Sequence, residues 1–270
     1  MSKYELVFEL NKFLFNIGCF ILSIIRFPSY LKSKNTRLKN CEIKNMPKTQ
    51  KCYVIGLGPS LKKVDLSKLD GDSIVVNHFY KFGANLNFTP TFYCLLDDVF
   101  FTEEYASNFA NAYERYPNTK FLLNGKYQAY VEKKKGILTN AYYAYMWKGY
   151  FINTKEKLDF TKRVPMAGNV ICTAIAFAMY AGYKEIILLG CDFNSFASQT
   201  DEHCYYEENA QRKLSLGFLL FCYSFVADTH IELEEYAKFN GVKITNATPG
   251  SLIDAYKRVN LDKDLFLGDL

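Results

Sequence analysis

Short apolar runs alternate with amphipathic segments from Lys51 onward, and this alternation constrains the fold more than any other feature of the sequence. The apolar runs predict six strands, at residues 52–56, 73–77, 91–95, 120–123, 185–190 and 242–246. The amphipathic segments predict five helices, at residues 60–69, 102–113, 169–181, 228–239 and 251–258. Strands that alternate with helices are typical of a doubly wound, mostly parallel α/β sheet. We therefore predict one Rossmann-like domain over residues 51–270.

The N-terminal segment differs from this domain in composition. The run FLFNIGCFILSIIRF, residues 13–27, is strongly apolar but spans about fifteen residues, fewer than the roughly 20 that a membrane-spanning helix needs. A polar, basic stretch that reads as a linker follows it. We predict that residues 1–50 form an amphipathic helix and a linker. The helix would lie in the membrane interface, with Lys32, Lys34, Arg37 and Lys39 against anionic lipid. A helix packed on the domain or on a partner is the alternative.

Charge and cysteine spacing exclude other classes of protein. Residues 1–51 hold ten of the 33 Lys and Arg and three of the 28 Asp and Glu, so the remaining chain is slightly acidic. A nucleic-acid-binding domain needs a basic face, and we predict no nucleic-acid partner. None of the eight cysteines forms a C-x-x-C pair, which favours reduced thiols. We expect a cytoplasmic protein, peripheral at the inner face of the cell membrane, and leave self-association into a homo-oligomer open.

Polar and glycine-rich segments follow several of the predicted strands. In open α/β sheets, ligands bind at the carboxyl ends of the strands. The turn GLGPS, residues 56–60, therefore shares an edge with Asn77, Asp97 and the polar segment 194–212. That segment lacks periodicity, and loops of such length are usually lids or binding loops. The sequence thus predicts a ligand site at this edge, covered by a lid at residues 194–212.

The GLGPS turn offers a place for a phosphate. Gly56 and Gly58 allow close backbone approach, and Pro59 and Ser60 begin the predicted helix, whose N-terminus favours an anion. The spacing matches neither G-x-G-x-x-G nor the Walker pattern, so a plain tight turn is the alternative.

Other candidate ligand contacts lie along the same edge. Asn77 has donor and acceptor groups for a sugar hydroxyl or a base edge, or it caps the next helix. Asp97 contacts a ligand or caps a helix. Gly168 and Asn169 can present backbone N–H groups, and Asp192 either points into the site or caps the lid.

The lid supplies the candidate catalytic side chains. His203 lies in a polar segment, and an ordinary pKa near 6.5 suits a general base. Tyr205 and Tyr206 can donate hydrogen bonds to a leaving phosphate. His230, near the start of a predicted amphipathic helix, is a second candidate base, although capping or a surface position is its default role.

Five segments in this order resemble the bacterial sialyltransferases of glycosyltransferase family 42, which have a variant of the GT-A fold. They are VIGLGPSLKKVD, VVNHFYK, TFYCLLDDVFF, GYKEIILLGCDF and GVKITNATPGSLIDAY. The chain resembles more distantly the domain family related to 6-hydroxymethylpterin diphosphokinase. The resemblance covers roughly residues 52–256 and leaves out the N-terminal segment.

The resemblance implies a metal-independent enzyme without a cofactor, which uses a CMP-linked sugar. It implies that residues 56–60, Asn77 and the Gly168 region hold the nucleotide, that Asn194 stands where the family has a tyrosine on the phosphate, and that a lid histidine is the base. The sequence departs from the family in three places. Leu57 replaces an asparagine, Met166 and Ala167 replace a threonine–serine pair, and Ser224 stands near the family's histidine position.

We therefore predict an inverting glycosyltransferase of surface-polysaccharide or lipopolysaccharide assembly, transferring sialic acid or a related sugar. The donor is a CMP-sugar, and the acceptor an oligosaccharide or a lipid-linked glycan. Two alternatives stay open. One is an ATP- and Mg²⁺-dependent diphosphokinase-like enzyme with Asp97 or Asp192 on the metal, and the other is a non-catalytic partner in glycan assembly.

Overall fold

The computed structural model describes most of the chain. The exceptions are residues 1, 84–85, 102–105, 148–155, 166–167, 199, 202, 205–209, 212–213, 262, 266 and 268–270. Within the described residues, nine strands form one sheet: β1 (Lys51–Ile55), β2 (Asp72–Val76), β3 (Phe92–Leu95), β4 (Lys120–Asn124), β5 (Ala141–Trp147), β6 (Arg163–Pro165), β7 (Glu185–Leu189), β10 (Lys243–Asn246) and β11 (Lys257–Arg258). Two further strands, β8 (Thr200–Asp201) and β9 (Ala210–Gln211), pair antiparallel inside the predicted lid.

The helices connect and flank these strands. Those described are α1 (Lys3–Ile25), α2 (Phe27–Lys32), α3 (Lys34–Leu38), α4 (Phe79–Phe82), α5 (Ala106–Arg115), α6 (Gln128–Lys135), α7 (Val170–Ala181) and α8 (Leu216–Phe239). Helix α7 is apolar on nearly all sides because it packs on β1, β2 and β3 and against α8. A helix buried on that many sides needs no polar face.

The strand order reverses beside β1. The order across the sheet is β11-β10-β7-β1-β2-β3-β4-β5-β6, and every neighbouring pair is parallel. The chain builds outward from β1 to β6, returns through α7, and continues on the other side of β1 with β7. The predicted doubly wound parallel sheet is confirmed, and its switch point lies at the carboxyl ends of β1 and β7, where such folds open a crevice.

Aromatic side chains fill the core on the α7 side of the sheet. Phe177 of α7 meets Phe92 of β3 edge-on at 5.1 Å and Phe160 at 5.4 Å. All three rings are at most 1% exposed. Edge-to-face packing of this kind adds to the free energy gained from burial alone.

The six predicted strands are present, but two predicted helices are wrong. Residues 60–69 form two short 3₁₀-helices, Pro59–Lys63 and Leu66–Lys68, because Asp65 accepts hydrogen bonds from the backbone and hydroxyl of Ser67 and so interrupts a continuous helix. Residues 251–258 run extended into β11. There Ser251 donates to the carbonyl of Cys191, 2.6 Å away, and holds the segment along the sheet.

Other boundaries also differ. Strands β5 and β6 were not predicted, although the aromatic run AYYAYMW of β5 is typical of strands. Helix α8 begins twelve residues before the predicted 228. Helix α5 begins at Ala106, and the predicted start at residue 102 lies outside the described residues.

The segment predicted as a linker is part of the folded domain. Asn40 is fully buried, and its side-chain amide donates to the carbonyls of Tyr143 and Phe160 at 2.9 and 2.8 Å. Arg37, predicted to face lipid, is 8% exposed and donates to Ser33 and to the carbonyl of Thr161. The predicted lipid contact of Arg37 is therefore wrong, because its guanidinium satisfies backbone and hydroxyl oxygens of the protein.

Asn40→Ala tests whether this segment stabilises the domain. The substitution leaves two buried carbonyl oxygens without their donor, and we expect the free energy of unfolding to fall by about 2–4 kcal/mol. Urea denaturation followed by circular dichroism measures the loss. Asn35→Ala, at an exposed position of α3, is the matched control and should change stability little. Equal stability of the two variants would contradict the structural role of Asn40.

Candidate functional site

The glycine turn brings the ends of β1 and β7 into close contact. The backbone N–H of Gly56 donates to the carbonyl of Leu189, and that of Gly58 to the carbonyl of Gly190, each at 2.8 Å. A Cβ on Gly56 would lie 2.5 Å from the Gly190 carbonyl oxygen. Glycine is needed here because the two backbones touch. The glycine turn is therefore packed directly on the end of β7, at the point where the strand order reverses.

Asp192 occupies the position at which the sequence predicted a phosphate. Its carboxylate accepts from the backbone N–H of Ser60 at 3.2 Å and from the Ser60 hydroxyl at 2.7 Å. Burial raises the pKa of this carboxyl, and the hydrogen bonds from Ser60 act in the opposite direction. A Cβ on Gly58 would lie 1.8 Å from an Asp192 carboxylate oxygen. The helix that follows is a 3₁₀-helix of five residues.

His203 lies beside this turn. The neighbouring Cys204 donates its backbone N–H to the carbonyl of Leu57 at 2.9 Å. His203 also lies near His78, whose pKa is lowered to about 4, first by burial and then by the charges of Lys81 and His203. His203, the predicted base, and the glycine turn therefore lie at the same edge of the sheet. Tyr205 and Tyr206 lie outside the described residues.

Asn77 and Asp97 link the carboxyl ends of β2 and β3. Asn77 is in the left-handed region, with φ of 47°, and its side-chain amide donates to Asp97 at 2.9 Å. Its carbonyl accepts from the hydroxyl of Tyr93 at 2.6 Å. The Asp97 side chain is in part open to solvent, but the protein atoms packed around it desolvate its carboxyl. This desolvation raises the pKa of Asp97 more than the hydrogen bond from Asn77 lowers it. A strained Asn at a strand end is common at functional sites.

A cavity of about 270 Å³ opens next to Asp97. Three residues predicted from the sequence line it, namely Asp97, Gly168 and Asn169. The structure adds polar side chains that the sequence analysis did not select: Arg26, Ser29, Tyr30, Asp98, Asn124, Lys126, Tyr145 and Arg163. Residues of α1 and α2 form its roof, and the carboxyl ends of β3, β4 and β5, together with Arg163 at the start of β6, form its floor.

The electrostatics of this cavity suit an anion. Helix α7 begins at it, with Asn169 as the N-cap that accepts from the backbone N–H of Cys172 at 2.9 Å. Arg163 lies in the wall, its guanidinium 4.5 Å from the ring centre of Tyr30. Lys126 pairs with Asp98 at 2.8 Å. A helix N-terminus beside a guanidinium and an ammonium is an arrangement that binds phosphate or carboxylate groups.

Asp97 and Asp98 contact different partners, and Asp98 is the first residue of a short 3₁₀-helix, Asp98–Phe101. Asp97 accepts from Asn77, whereas Asp98 pairs with Lys126 and lies 3.4 Å from the amide of Asn124. Among the residues that the structure describes, no three His, Cys, Asp or Glu side chains come together as metal ligands.

Two other predicted site residues lie away from this cavity. His230 is 1% exposed, and its Nδ1 lies 2.9 Å from the hydroxyl of Tyr256. Burial lowers the pKa of His230 to about 3, so it is neutral and enclosed in the core, which favours a structural role over catalysis. Asn194 caps a short 3₁₀-helix, Ser195–Ala197, through its backbone.

The sequence contained a signal for some of the residues that were missed. Asn124 follows the apolar run of β4, as Asn77 follows that of β2, and the same edge rule selects it. Tyr145 and Arg163 lie on the strands that were not predicted, and Arg26 and Tyr30 belong to the segment that was assigned to membrane and linker.

A parallel sheet with a polar cavity at its carboxyl edge is the usual architecture of a ligand-binding α/β protein. Residues 26–196, more than half of the chain, match the 6-hydroxymethylpterin diphosphokinase MptE-like family, and the chain belongs to that family. No curated protein is similar enough in sequence to match the chain.

The fold is similar to solved sialyltransferase structures from Campylobacter jejuni. The monofunctional α-2,3-sialyltransferase Cst-I is 16% identical, with a TM-score of 0.50, over 79% of this chain and 81% of that one. The sialyltransferase CstII, in complex with cytidine-5′-monophosphate as a substrate analogue, is 21% identical, with a TM-score of 0.49, over 82% and 88%. The predicted resemblance to both families is confirmed, and for the sialyltransferases it establishes the fold.

Gly58→Ala tests whether the Asp192 carboxylate fills the glycine turn. The new Cβ would displace the Asp192 carboxylate from Ser60, and we expect the free energy of unfolding to fall by about 1–3 kcal/mol. Thermal denaturation measures the change. Gly217→Ala, in the first turn of α8 with no atom within 4 Å of the new Cβ, is the control and should be neutral or slightly stabilising. A fully stable Gly58→Ala variant would show that Asp192 does not fill the turn in solution.

Proposed function

We propose that the protein is a glycosyltransferase that uses a nucleotide-activated sugar, with a CMP-linked sialic acid or a related sugar as the donor. The observation that carries the proposal is the polar cavity at the carboxyl edge, lined by Arg163 and the start of α7, together with His203 beside the glycine turn at the same edge. The sialyltransferase fold supports the same class of reaction. The sequence resemblance supports the cytidine nucleotide.

The cavity suits the charged part of the donor. Arg163 and the first N–H groups of α7 supply positive potential, while the charge of Lys126 is balanced by its pairing with Asp98. Gly168, with φ of 68°, lines the cavity as well. Asp97 and Asn77 supply acceptor and donor groups for sugar hydroxyls. A volume of about 270 Å³ lies just below the usual range for ligand pockets, roughly 300–1,000 Å³, which fits the nucleotide better than the whole donor.

His203 is the proposed general base. It takes the proton from the acceptor hydroxyl, whose oxygen attacks the anomeric carbon of the donor sugar. The bond between that carbon and the phosphate oxygen breaks, and CMP leaves with the bonding electrons. One direct displacement inverts the anomeric configuration. Tyr205 and Tyr206 are proposed to donate hydrogen bonds to the leaving phosphate, where stabilisation of developing charge lowers the barrier most.

The family to which the chain belongs favours a second candidate, transfer of a diphosphate group from ATP. In that reaction Asp97 or Asp192 would hold Mg²⁺. The described surroundings fit this role less well, because Asp192 already accepts from Ser60 and Asp97 from Asn77. Mg²⁺ prefers several free oxygen ligands in octahedral geometry.

A thermal-shift panel of CMP, CDP, UDP, GDP and ATP, each with and without Mg²⁺, tests the proposed donor. Stabilisation grows with the ratio of ligand concentration to dissociation constant, so we expect CMP to raise the melting temperature most, with or without the metal. A larger shift with ATP that depends on Mg²⁺ would favour the diphosphokinase. Absence of any shift would favour a non-catalytic role in glycan assembly.

His203→Ala tests the proposed base. We expect transfer from CMP-N-acetylneuraminate to fall by about 10²–10⁴-fold, the usual contribution of a general base, while the CMP-induced thermal shift persists. Ser224→Ala is the matched control at the position where the related sialyltransferases are expected to place their histidine. Its hydroxyl donates to the carbonyl of Phe221, and its loss should leave transfer unchanged. Full turnover by His203→Ala would exclude the role.

A further inference from the structure

From Lys12 onward, helix α1 has its polar side chains toward the protein and most of its apolar side chains toward solvent, whereas Glu5, Glu9 and Asn11 before it are exposed. The inward stripe contains Lys12, Asn16, Cys19 and Ser23, at intervals of three and four residues. The outward residues Leu10, Phe13, Leu14, Ile17, Phe20 and Ile21 are between 42% and 61% exposed. This pattern is the reverse of a surface helix in a water-soluble protein, whose apolar stripe faces the core. The outer face of α1 therefore needs an apolar partner.

The first turns of α8 continue this apolar face. Leu216, Phe218, Leu220 and Phe221 are between 45% and 52% exposed. The two helices meet at Phe225, whose ring centre lies 5.7 Å from that of Phe8, 5.9 Å from that of Phe15 and 4.8 Å from that of Phe221. The outer face of α1 and the first turns of α8 thus form one continuous surface, which we name the apolar face. It far exceeds the scattered apolar residues of an ordinary protein surface.

An ion-pair cluster fixes α1 to α8 beneath the apolar face. The ammonium of Lys12 pairs with Asp228 and lies 3.7 Å from Glu232. Its side chain is 15% exposed. Among the described residues, α1 and α8 are each long and apolar enough to cross a membrane, with mean hydropathies of 1.5 and 1.3. A helix that left the protein to cross a membrane would carry an unpaired Lys12 into hydrocarbon, which is unfavourable. The ion pairs favour a helix that stays on the protein.

The residues at the ends of α1 match an anionic membrane. Tyr4 and Phe27 are 75% and 48% exposed, and Lys3 and Lys32 are exposed next to the apolar segment. Aromatic rings favour the lipid–water interface, and ammonium groups pair with lipid phosphates. Lys34 is exposed close to Lys32 and adds to the positive charge after the apolar segment. These features favour a bilayer over a second protein as the partner.

We propose that the apolar face of α1 and α8 lies in the plane of an anionic lipid bilayer while both helices stay packed on the sheet domain. This goes beyond the N-terminal helix alone, because the first two turns of α8 belong to the same surface. Cys19, Ser23 and Arg26 of the α1 region also roof the cavity, so lipid binding sets the opening of the cavity beside the bilayer. The proposal is independent of the sugar chemistry proposed above.

Vesicle flotation of the full chain tests the apolar face. The vesicles contain phosphatidylcholine with a minority of phosphatidylglycerol. We expect the wild type to float, and both Phe13→Ser/Ile17→Ser and Phe218→Ser/Phe221→Ser to lower the partition coefficient at least about tenfold, because each pair loses two apolar lipid contacts. The control Ile137→Ser/Phe239→Ser changes two exposed residues (86% and 71%). They precede β5 and β10 and so lie at the amino ends of the strands, whereas the cavity lies at the carboxyl ends. The control should float like the wild type.

Each other outcome overturns the proposal. Loss of binding in the α1 variant alone would mean that α1 inserts by itself and that α8 is not part of the surface. A wild type that stays unbound but self-associates in light scattering would assign the face to a second copy of the chain. Circular dichroism and melting temperature without vesicles verify that every variant is folded. The CMP thermal shift is measured separately, so a failure of flotation and a failure of the proposed enzyme function are distinguishable.

Discussion

The close approach of two backbones at the ends of β1 and β7 determines the arrangement of the candidate site. Gly56 and Gly190 touch so closely that neither position has room for a side chain. This contact places Asp192 against Ser60, and it directs the chain after β7 across the edge where the other strands end. Phe193, the residue that follows, has a φ of 59°, and its ring packs at a tilt of 40° on that of Tyr223 in α8, with the ring centres 4.5 Å apart. A positive φ is unfavourable for an aromatic residue, and the contact between the Phe193 and Tyr223 rings helps to hold the backbone in this conformation.

The N-terminal segment completes the domain. Asn40 satisfies carbonyls at β5 and before β6, and α1 and α2 cover the cavity that the strand ends form. The match to the MptE-like family begins at residue 26, which agrees with a domain that includes α2 and the residues after it. The helix that precedes this point adds the apolar face. A segment that the sequence analysis separated from the domain thus lines the cavity and carries much of the apolar face.

The carboxyl-edge rule predicted much of the candidate site, because it needs only the order of strands and the residue that follows each one. Asp97 lines the cavity, and Asn77 and Ser60 lie beside it or on the glycine turn. Gly168 and Asn169 also line it, and the sequence selected them because they stand at the start of a predicted helix. The rule failed where the strands were not predicted. Strand β5 is long and aromatic but lacks the alternation that identifies a half-buried strand, and β6 has three residues. Tyr145 and Arg163 were missed for that reason.

The sequence by itself determined the alternation of strands and helices, the parallel sheet and the glycines at the switch point, because these follow from local apolar patterns and from steric limits on the backbone. The tertiary structure decided which groups meet. It placed the Asp192 carboxylate where a phosphate was predicted, enclosed His230 in the core, and set Arg163 and Lys126 around the start of α7. Such contacts join residues far apart in the chain, and their partners depend on packing across the sheet that no local pattern records.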